Sequence, residues 1–563
     1  MNWNATLRAA ALAVLLAPLV APAQTVVTAD ITTNTTWTAG NTYVLNGLVF
    51  VDNGATLTIE PGTVIKGRAA VNITGTLPDG VTREFASALV IKRGAKIEAN
   101  GTAAAPIIFT AERDDLNNPD DLALTERGLW GGLIVLGSAP TNTGVTNNAI
   151  EGIPDVYNAF YGGSNVDDDS GTIRYVSIRH GGADLNDDDE INGLTLGAVG
   201  AGTEIEYVEV FANLDDGIEW FGGTVDVKYA VVAYSGDDSF DYAQGWDGNG
   251  QFWLVVQSPD DAGAAGEFDN LPSKFDATPL TTPVISNGTF VGPGRNGASV
   301  DSRILRFRDG AGGSFYNSIL ASGGAAAITF ASAETLALIG TENLTVSNNV
   351  IGTDFGGGNT FAQLVTGASA EQTTALAAAN FVQNAGIVVT TGDLDGDAAT
   401  NEELISVVVN RATTAALPDA KFDGVANLND DFFTEVDYVG AINPAVATQF
   451  YTNWTFFDRA DVFTVEGAVS NVNGPLAESF GLAVGPNPVR GAATVRFTLD
   501  RAQDVRVALY DVLGREVAVV AEGAFGIGQA TAQIDAADLP AGLYVLRLEG
   551  EAASATRQIS VVR

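Results

Sequence analysis

Residues 206–256 read EYVEVFANLDDGIEWFGGTVDVKYAVVAYSGDDSFDYAQGWDGNGQFWLVV, and the segment repeats itself. Tyr207-Val208-Glu209-Val210 recurs as Tyr229-Ala230-Val231-Val232, a step of 22 residues. Over the same step Asp215-Asp216-Gly217-Ile218-Glu219-Trp220 falls on Asp237-Asp238-Ser239-Phe240-Asp241-Tyr242. The next copy, Phe252-Trp253-Leu254-Val255 with Asp260-Asp261, follows after 23. Upstream, Gly193-Leu194-Thr195-Leu196 matches Gly217 onward at 24, and Tyr175-Val176-Ser177-Ile178 matches Tyr207 onward once an acidic insertion near 183–190 is allowed for. Short strands with Gly-rich corners and no helical periodicity, repeating at this length, mean a solenoid, because one turn alone cannot bury its apolar face. The spacing predicts an all-β, right-handed parallel β-helix.

Further rungs are expected on both sides. LVFVDNGATLTIEPGTVIKG (48–67), ALVIKRGAKIEANGTAAAPIIFTA (88–111) and LWGGLIVLGSAPTN (129–142) place strand formers between Gly, Asn and Pro corners. VISNGTFVGPG (284–294), SFYNSILASGG (314–324) and LTVSNNVIGTD (344–354) continue the series. Residues 361–382 are rich in Ala and Gln and predict a small helical insertion capping one end, where an open sheet edge invites aggregation. Aromatic-rich Phe432–Phe457 is expected to close that same end. The domain reading is a leader at 1–23, a β-helix at 24–470, a linker at 471–480 and a C-terminal domain at 481–563.

The C-terminal segment contains Pro486-Asn487-Pro488, then YDVLGREV (510–517) with Gly514 and Arg515, then LPAGLYVLRL (539–548) with Gly542 and Tyr544. Alternating strands broken at Gly and Pro predict an Ig-like antiparallel sandwich of about seven strands. The order of these motifs resembles the type IX secretion C-terminal sorting domain of Bacteroidetes-like bacteria. The resemblance implies that the type IX machinery is a partner and that the protein is secreted or displayed at the cell surface. The first rungs resemble the opening coils of bacterial surface β-helix proteins, many of which carry the same tag. At the other end, one positive charge before Ala9–Val20 and the A-x-A site Ala21-Pro22-Ala23 read as a secretory signal peptide.

Composition excludes several classes. There are no cysteines, so disulfides, thiol chemistry and Cys-ligated metals are absent. The net charge is −40, with six lysines among 28 basic residues, and such a field repels nucleic acid and anionic lipid. No segment after the leader is long and apolar enough to span a bilayer as a helix. A monomer is the expected state.

Stacked rungs lie about 4.8 Å apart, so residues one period apart form columns. One column holds Tyr175, Tyr207, Tyr229 and Phe252. Facing outward it is a surface for sugar rings; facing inward it is core, since Val176, Val208, Ala230 and Trp253 beside it are also apolar. A second column holds Asp216, Asp238 and Asp261, with Asp215, Asp237 and Asp260 beside it and Glu219 and Asp241 on the next strand. Its repulsion needs relief from water, backbone donors, protons or a cation. Asp393, Asp395 and Asp397 have the D-x-D-x-D spacing of a calcium loop, but Ala398 and Leu404 depart from the EF-hand pattern.

The expected function is binding of an extracellular glycan or matrix without catalysis, with calcium as the only candidate cofactor. The enzymatic alternative is a lyase or hydrolase acting on acidic polysaccharide through Asp215, Asp237, Asp238 and Asp241, with Arg174, Arg179, Lys228, Arg303, Arg306 and Arg308 as candidate bases for the lyase. A structural envelope component is the third reading. His180, the sole histidine, sits in Arg179-His180-Gly181-Gly182 upstream of the Asp pairs, which is the wrong order for a pectin hydrolase.

Overall fold

The computed structural model describes residues 23–69, 74–76, 82–84, 86–116, 118, 121–183, 191–295, 303–392, 404–460 and 462–466. In the C-terminal region it describes 483–485, 489, 491–499, 503–511, 515–525, 528–536, 539–540, 542–550 and 554–561. The first twenty-two residues, the linker, Pro486–Pro488, Gly514 and the Asp393–Asp397 loop lie outside the described residues. No helix among the described residues is long and apolar enough to cross a membrane.

The described residues between 23 and 382 coil into stacked turns of three strands, and the pairings between those turns are parallel. The first face holds Thr56–Ile59, Lys96–Asn100 and the leading halves of Gly171–Arg179, Glu204–Phe211 and Val227–Ala233. The trailing halves of those long strands belong to the second face, with Leu254–Val256, Thr289–Val291 and Ile319–Ala321. The third face is a separate ten-stranded sheet running from Leu48–Val51 to Val365–Thr366. The repeat register is as the sequence implies: Val208 pairs with Val176 and Ala230, and Ile218 with Leu194 and Phe240. Inward residues from all three faces fill one continuous core. Trp220, Trp246 and Trp253 stack inside it, and the indole N–H groups of Trp246 and Trp253 donate to the carbonyls of Val225 and Val227, so those two rings bury area with their donors paired.

The bend between the first two faces is made by one left-handed residue per turn. Tyr175, Tyr207, Tyr229 and Phe252 have φ of 47°, 54°, 60° and 58°, and Asn287, Asn317 and Asn348 continue the column at 56°, 52° and 58°. Asn tolerates this conformation, whereas a ring there costs about 1–2 kcal/mol that stacking must offset.

In the last coil the helix Ala370–Ala379 stands where the next first-face strand would lie, above Leu344–Ser347. Ser369 caps it by accepting from the Gln372 N–H, Leu376 buries into the core, and the Asn380 amide donates to the Val346 carbonyl. The helical insertion therefore replaces a strand and satisfies the sheet edge.

Phe432–Phe457 does not close the end. Residues 385–392, 404–443, 448–460 and 462–465 run back along the outside of the coils as a strap covering the second face. Ile387, Ile405, Val407, Tyr451, Phe457 and Phe463 pack on Phe211, Val231, Leu254 and Ile319. The outer side of that face is apolar and needs a cover more than the already capped end does. The Asn column helps hold the strap, since Asn287, Asn317 and Asn348 donate to the carbonyls of Tyr438, Lys421 and Asp419. Glu209, fully buried, accepts the backbone N–H groups of Phe456 and Phe457 at 2.9 and 2.7 Å and a hydrogen bond from Ser177.

The described residues form two compact units: one from those within 1–443 and 448–465, the other from those within 444–447 and 466–563. The C-terminal unit has antiparallel sheets of three and four strands that share one core, including Val495, Phe497, Val507, Leu509 and Leu546. Gly542 and Tyr544 lie on its strand Gly542–Glu549, and the Tyr544 hydroxyl donates to the Pro540 carbonyl. Arg515 precedes the strand Glu516–Phe525.

Candidate functional site: the acidic face

The third face carries one outward column whose chemistry changes along the solenoid. By register it runs Phe50, Val90, Ile134, Thr195, Glu219, Asp241, Glu267, Arg306, Thr329, Thr366. The local sequences explain the alternation. In Ile218-Glu219-Trp220, Phe240-Asp241-Tyr242, Gly266-Glu267-Phe268, Leu305-Arg306-Phe307 and Ile328-Thr329-Phe330, the flanking apolar residues turn inward and the middle residue turns out. Asn192, Asp216 and Asp238 mark the corner leading into successive strands of this face.

Here the predicted acidic column needs a correction. Asp216 and Asp238 are stacked, but Ala264, not Asp261, occupies the next rung: the Ser239 N–H donates to the Ala264 carbonyl and the Ala264 N–H to the Asp238 carboxylate. Extra residues in this corner loop carry Asp260 away to Arg127, which donates to it at 2.7 Å. Gly263 takes the place beside Asp237, and a Cβ there would collide with the carboxylates of both Asp237 and Asp238.

The remaining acids form a continuous strip. Asp215, Asp216 and Asp237 bring carboxylate oxygens within 4.8 Å of one another; so do Asp216, Glu219 and Asp241, and so do Asp238, Asp241 and Glu267. Burial pushes the carboxyls of Asp216, Glu219, Asp238 and Asp241 well above the usual range, and the neighbouring negative charges push them further. Two oxygens in the strip lack a hydrogen-bond partner: Asp241 Oδ1 and the Oδ1 of Asn192, which is fully buried and whose amide nitrogen donates to Glu219 at 2.6 Å and Glu151 at 2.9 Å. At the far end Arg306 pairs with Glu267 at 2.5 Å, and Arg308 donates to Asp269 at 2.8 Å.

This donor set suits a hard divalent cation. It offers only oxygens, several to each cluster, and a spread of 4.8 Å matches two oxygens on opposite sides of a calcium ion with bonds of about 2.3–2.6 Å.

The tyrosine column lies on the outer corner of the coil. Its ring centroids are 4.3, 4.4 and 5.0 Å apart from Tyr175 to Phe252, with interplanar angles of 9–14°. The rings therefore occupy one another's faces. Trp454 meets Tyr175 edge-on at 5.4 Å, Phe450 lies 5.6 Å from Tyr229, and the Arg174 guanidinium sits 5.8 Å from the Tyr207 ring. This arrangement suits a packing role better than sugar stacking. His180 and Arg179 are buried beneath the strap; burial pushes the imidazole down to about 4, and its Nδ1 lies 2.6 Å from the Glu126 carbonyl.

A solenoid of three parallel faces wound round one core is a parallel β-helix. Residues 29–393 match the family described as pectate-lyase like beta helix domain, and the chain belongs to it. Residues 483–562 match the secretion system C-terminal sorting domain, so the protein is exported by type IX secretion to the cell surface or extracellular space. No curated protein matches the chain.

Proposed function

We propose that this secreted β-helix holds divalent cations, calcium foremost, on the acidic strip and with them binds an anionic extracellular polysaccharide without cleaving it. The observation that carries this reading is the passage, within one outward column, from desolvated carboxylates at Glu219, Asp241 and Glu267 to the guanidinium of Arg306. A uronate polymer bears carboxylates that the bare strip repels. A cation cancels that repulsion and bridges the two sets of oxygens, while the positive charges of Arg306 and Arg308, already paired with Glu267 and Asp269, attract the next carboxylate. Asp215, Asp237, Asp238 and Asp241 are ligands in this reading, not acid and base.

One observation favours a lyase as the second reading. Burial and the Arg306 charge lower the affinity of Arg303 for its proton, the direction a guanidinium base requires. The two readings separate in one assay. Polygalacturonate and alginate are incubated with the protein in calcium or in EDTA, followed by co-sedimentation and ultraviolet detection of unsaturated ends. Calcium-dependent retention without unsaturated product supports binding. Product formation supports the lyase, and equal retention in EDTA removes the cation from the account.

A further inference from the structure

We infer that a calcium ion clamps the hairpin loop 148–161 onto the third face, with Glu151 of the loop, Glu219 of the sheet and Asn192 of the corner as its ligands; this rests on the reading that the acidic strip takes divalent cations. The ends of the loop pair antiparallel, Asn148 with Tyr161 and Ala149 with Phe160. Its apolar side lies on the outward residues of the first rungs: Ile150, Ile153, Ala159 and Tyr161 pack with Phe50, Val90 and Ile134, and the Tyr157 ring stacks on Phe50 at 5.1 Å. Between buried Ile150 and Ile153 the chain turns at Gly152, with φ of 66°, and leaves Glu151 on the surface.

Glu151 and Glu219 meet at one nitrogen. Nδ2 of Asn192 donates to Glu151 at 2.9 Å and to Glu219 at 2.6 Å, so carboxylates from two separate parts of the chain converge on a single amide. Asn192 is 0% exposed and Glu219 8%, so water answers little of this charge. The amide carries no net charge to set against two carboxylates, and its own Oδ1 is buried without a hydrogen-bond partner. A calcium ion resolves both faults. It takes the place between the carboxylates, and the amide, turned over, offers Oδ1 as a further oxygen; carboxylate and Asn oxygens are ordinary calcium ligands. Glu219 also belongs to the cluster with Asp216 and Asp241, so the ion ends the strip at its Asn192 side. The base of the loop has another anchor, since the Tyr161 hydroxyl donates to Gln244 at 2.9 Å. The segment around Glu151 depends on the ion, without which the two carboxylates repel.

The test compares the whole exported chain with a Glu151→Ala variant. Calcium binding is measured by calorimetry, and hydrogen–deuterium exchange of peptides spanning 150–157 is read by mass spectrometry in calcium and in EDTA. Glu151 is exposed, so its truncation leaves the core intact. With calcium in hundredfold excess over Kd, exchange in the unaltered chain should slow by about a hundredfold relative to EDTA, because this segment opens only once the ion has left. The variant should lose that slowing. Calcium binding that leaves the exchange of 150–157 unchanged, or slows it equally in the variant, overturns the clamp and leaves the cations of the strip in place. Absence of calcium binding to the unaltered chain overturns the strip reading and the clamp together.

Discussion

Replacing Asp241 by Asn should stabilise the cation-free protein and abolish its response to calcium. Asp241 shares one carboxylate cluster with Asp216 and Glu219 and another with Asp238 and Glu267. At the 4.8 Å limit of those clusters, two full charges repel by about 3.5 kcal/mol at an effective dielectric near 20. Burial first, and then the neighbouring carboxylates, hold the Asp241 carboxyl well above its usual range, so the native state loses stability as pH climbs above that of an ordinary Asp near pKa 4. Asn keeps the shape and removes the charge, so a gain of roughly 2–3 kcal/mol is expected in EDTA at pH 8. The sign follows from linkage. A carboxyl whose native pKa is raised gives its full stability below the unfolded pKa and loses it as pH climbs toward the native value. The gain should thus vanish near pH 4. In calcium the order reverses, because the unaltered protein gains about 2.7 kcal/mol at a hundredfold excess over Kd and the variant has lost a ligand. Urea unfolding at pH 4 and pH 8, with EDTA or calcium, reads all four values. An Asp241→Asn variant less stable than its parent in EDTA at pH 8 would refute the reasoning.

Three other outcomes follow from the same structure. Tyr207→Ala should cost roughly 2–3 kcal/mol through loss of two ring stacks at 4.3 and 4.4 Å, and Tyr207→Gly about 1 kcal/mol less, because φ is 54° there; denaturant midpoints compare them. Glu209→Ala should cost about 3–5 kcal/mol and make residues 385–466 the first site of limited proteolysis, since it strips two backbone donors and leaves Arg179 buried without that carboxylate's charge nearby. The single imidazole, His180, should titrate near pH 4 in a proton NMR series, and a midpoint near 6.5 would contradict its burial under the strap.

Much of this architecture was legible because a solenoid writes its stacking directly into spacing. The 22-residue step placed Tyr207 on Tyr229 and Glu219 on Asp241. It failed at Asp261, where the lengthened corner after Val256 broke the period and pairing to Arg127 drew Asp260 away. The ring column was visible, but not that each ring sits on a left-handed corner, although the Asn residues continuing the column at 287, 317 and 348 carried that signal. Glu267 and Arg306 escaped the acidic column for a different reason. They sit 26 and 39 residues beyond their rung partners, and only the apolar-X-aromatic triplets around them betray the outward position. The strap was misplaced because aromatic richness says that a segment needs covering, not which surface it covers.

The most direct test is a lanthanide titration of crystals of the β-helix, with anomalous difference maps recorded at the third face. Ions bound between Asp216, Glu219 and Asp241, or between Asp238, Asp241 and Glu267, are the predicted result. Maps without a peak along that strip at saturating lanthanide and neutral pH would contradict it.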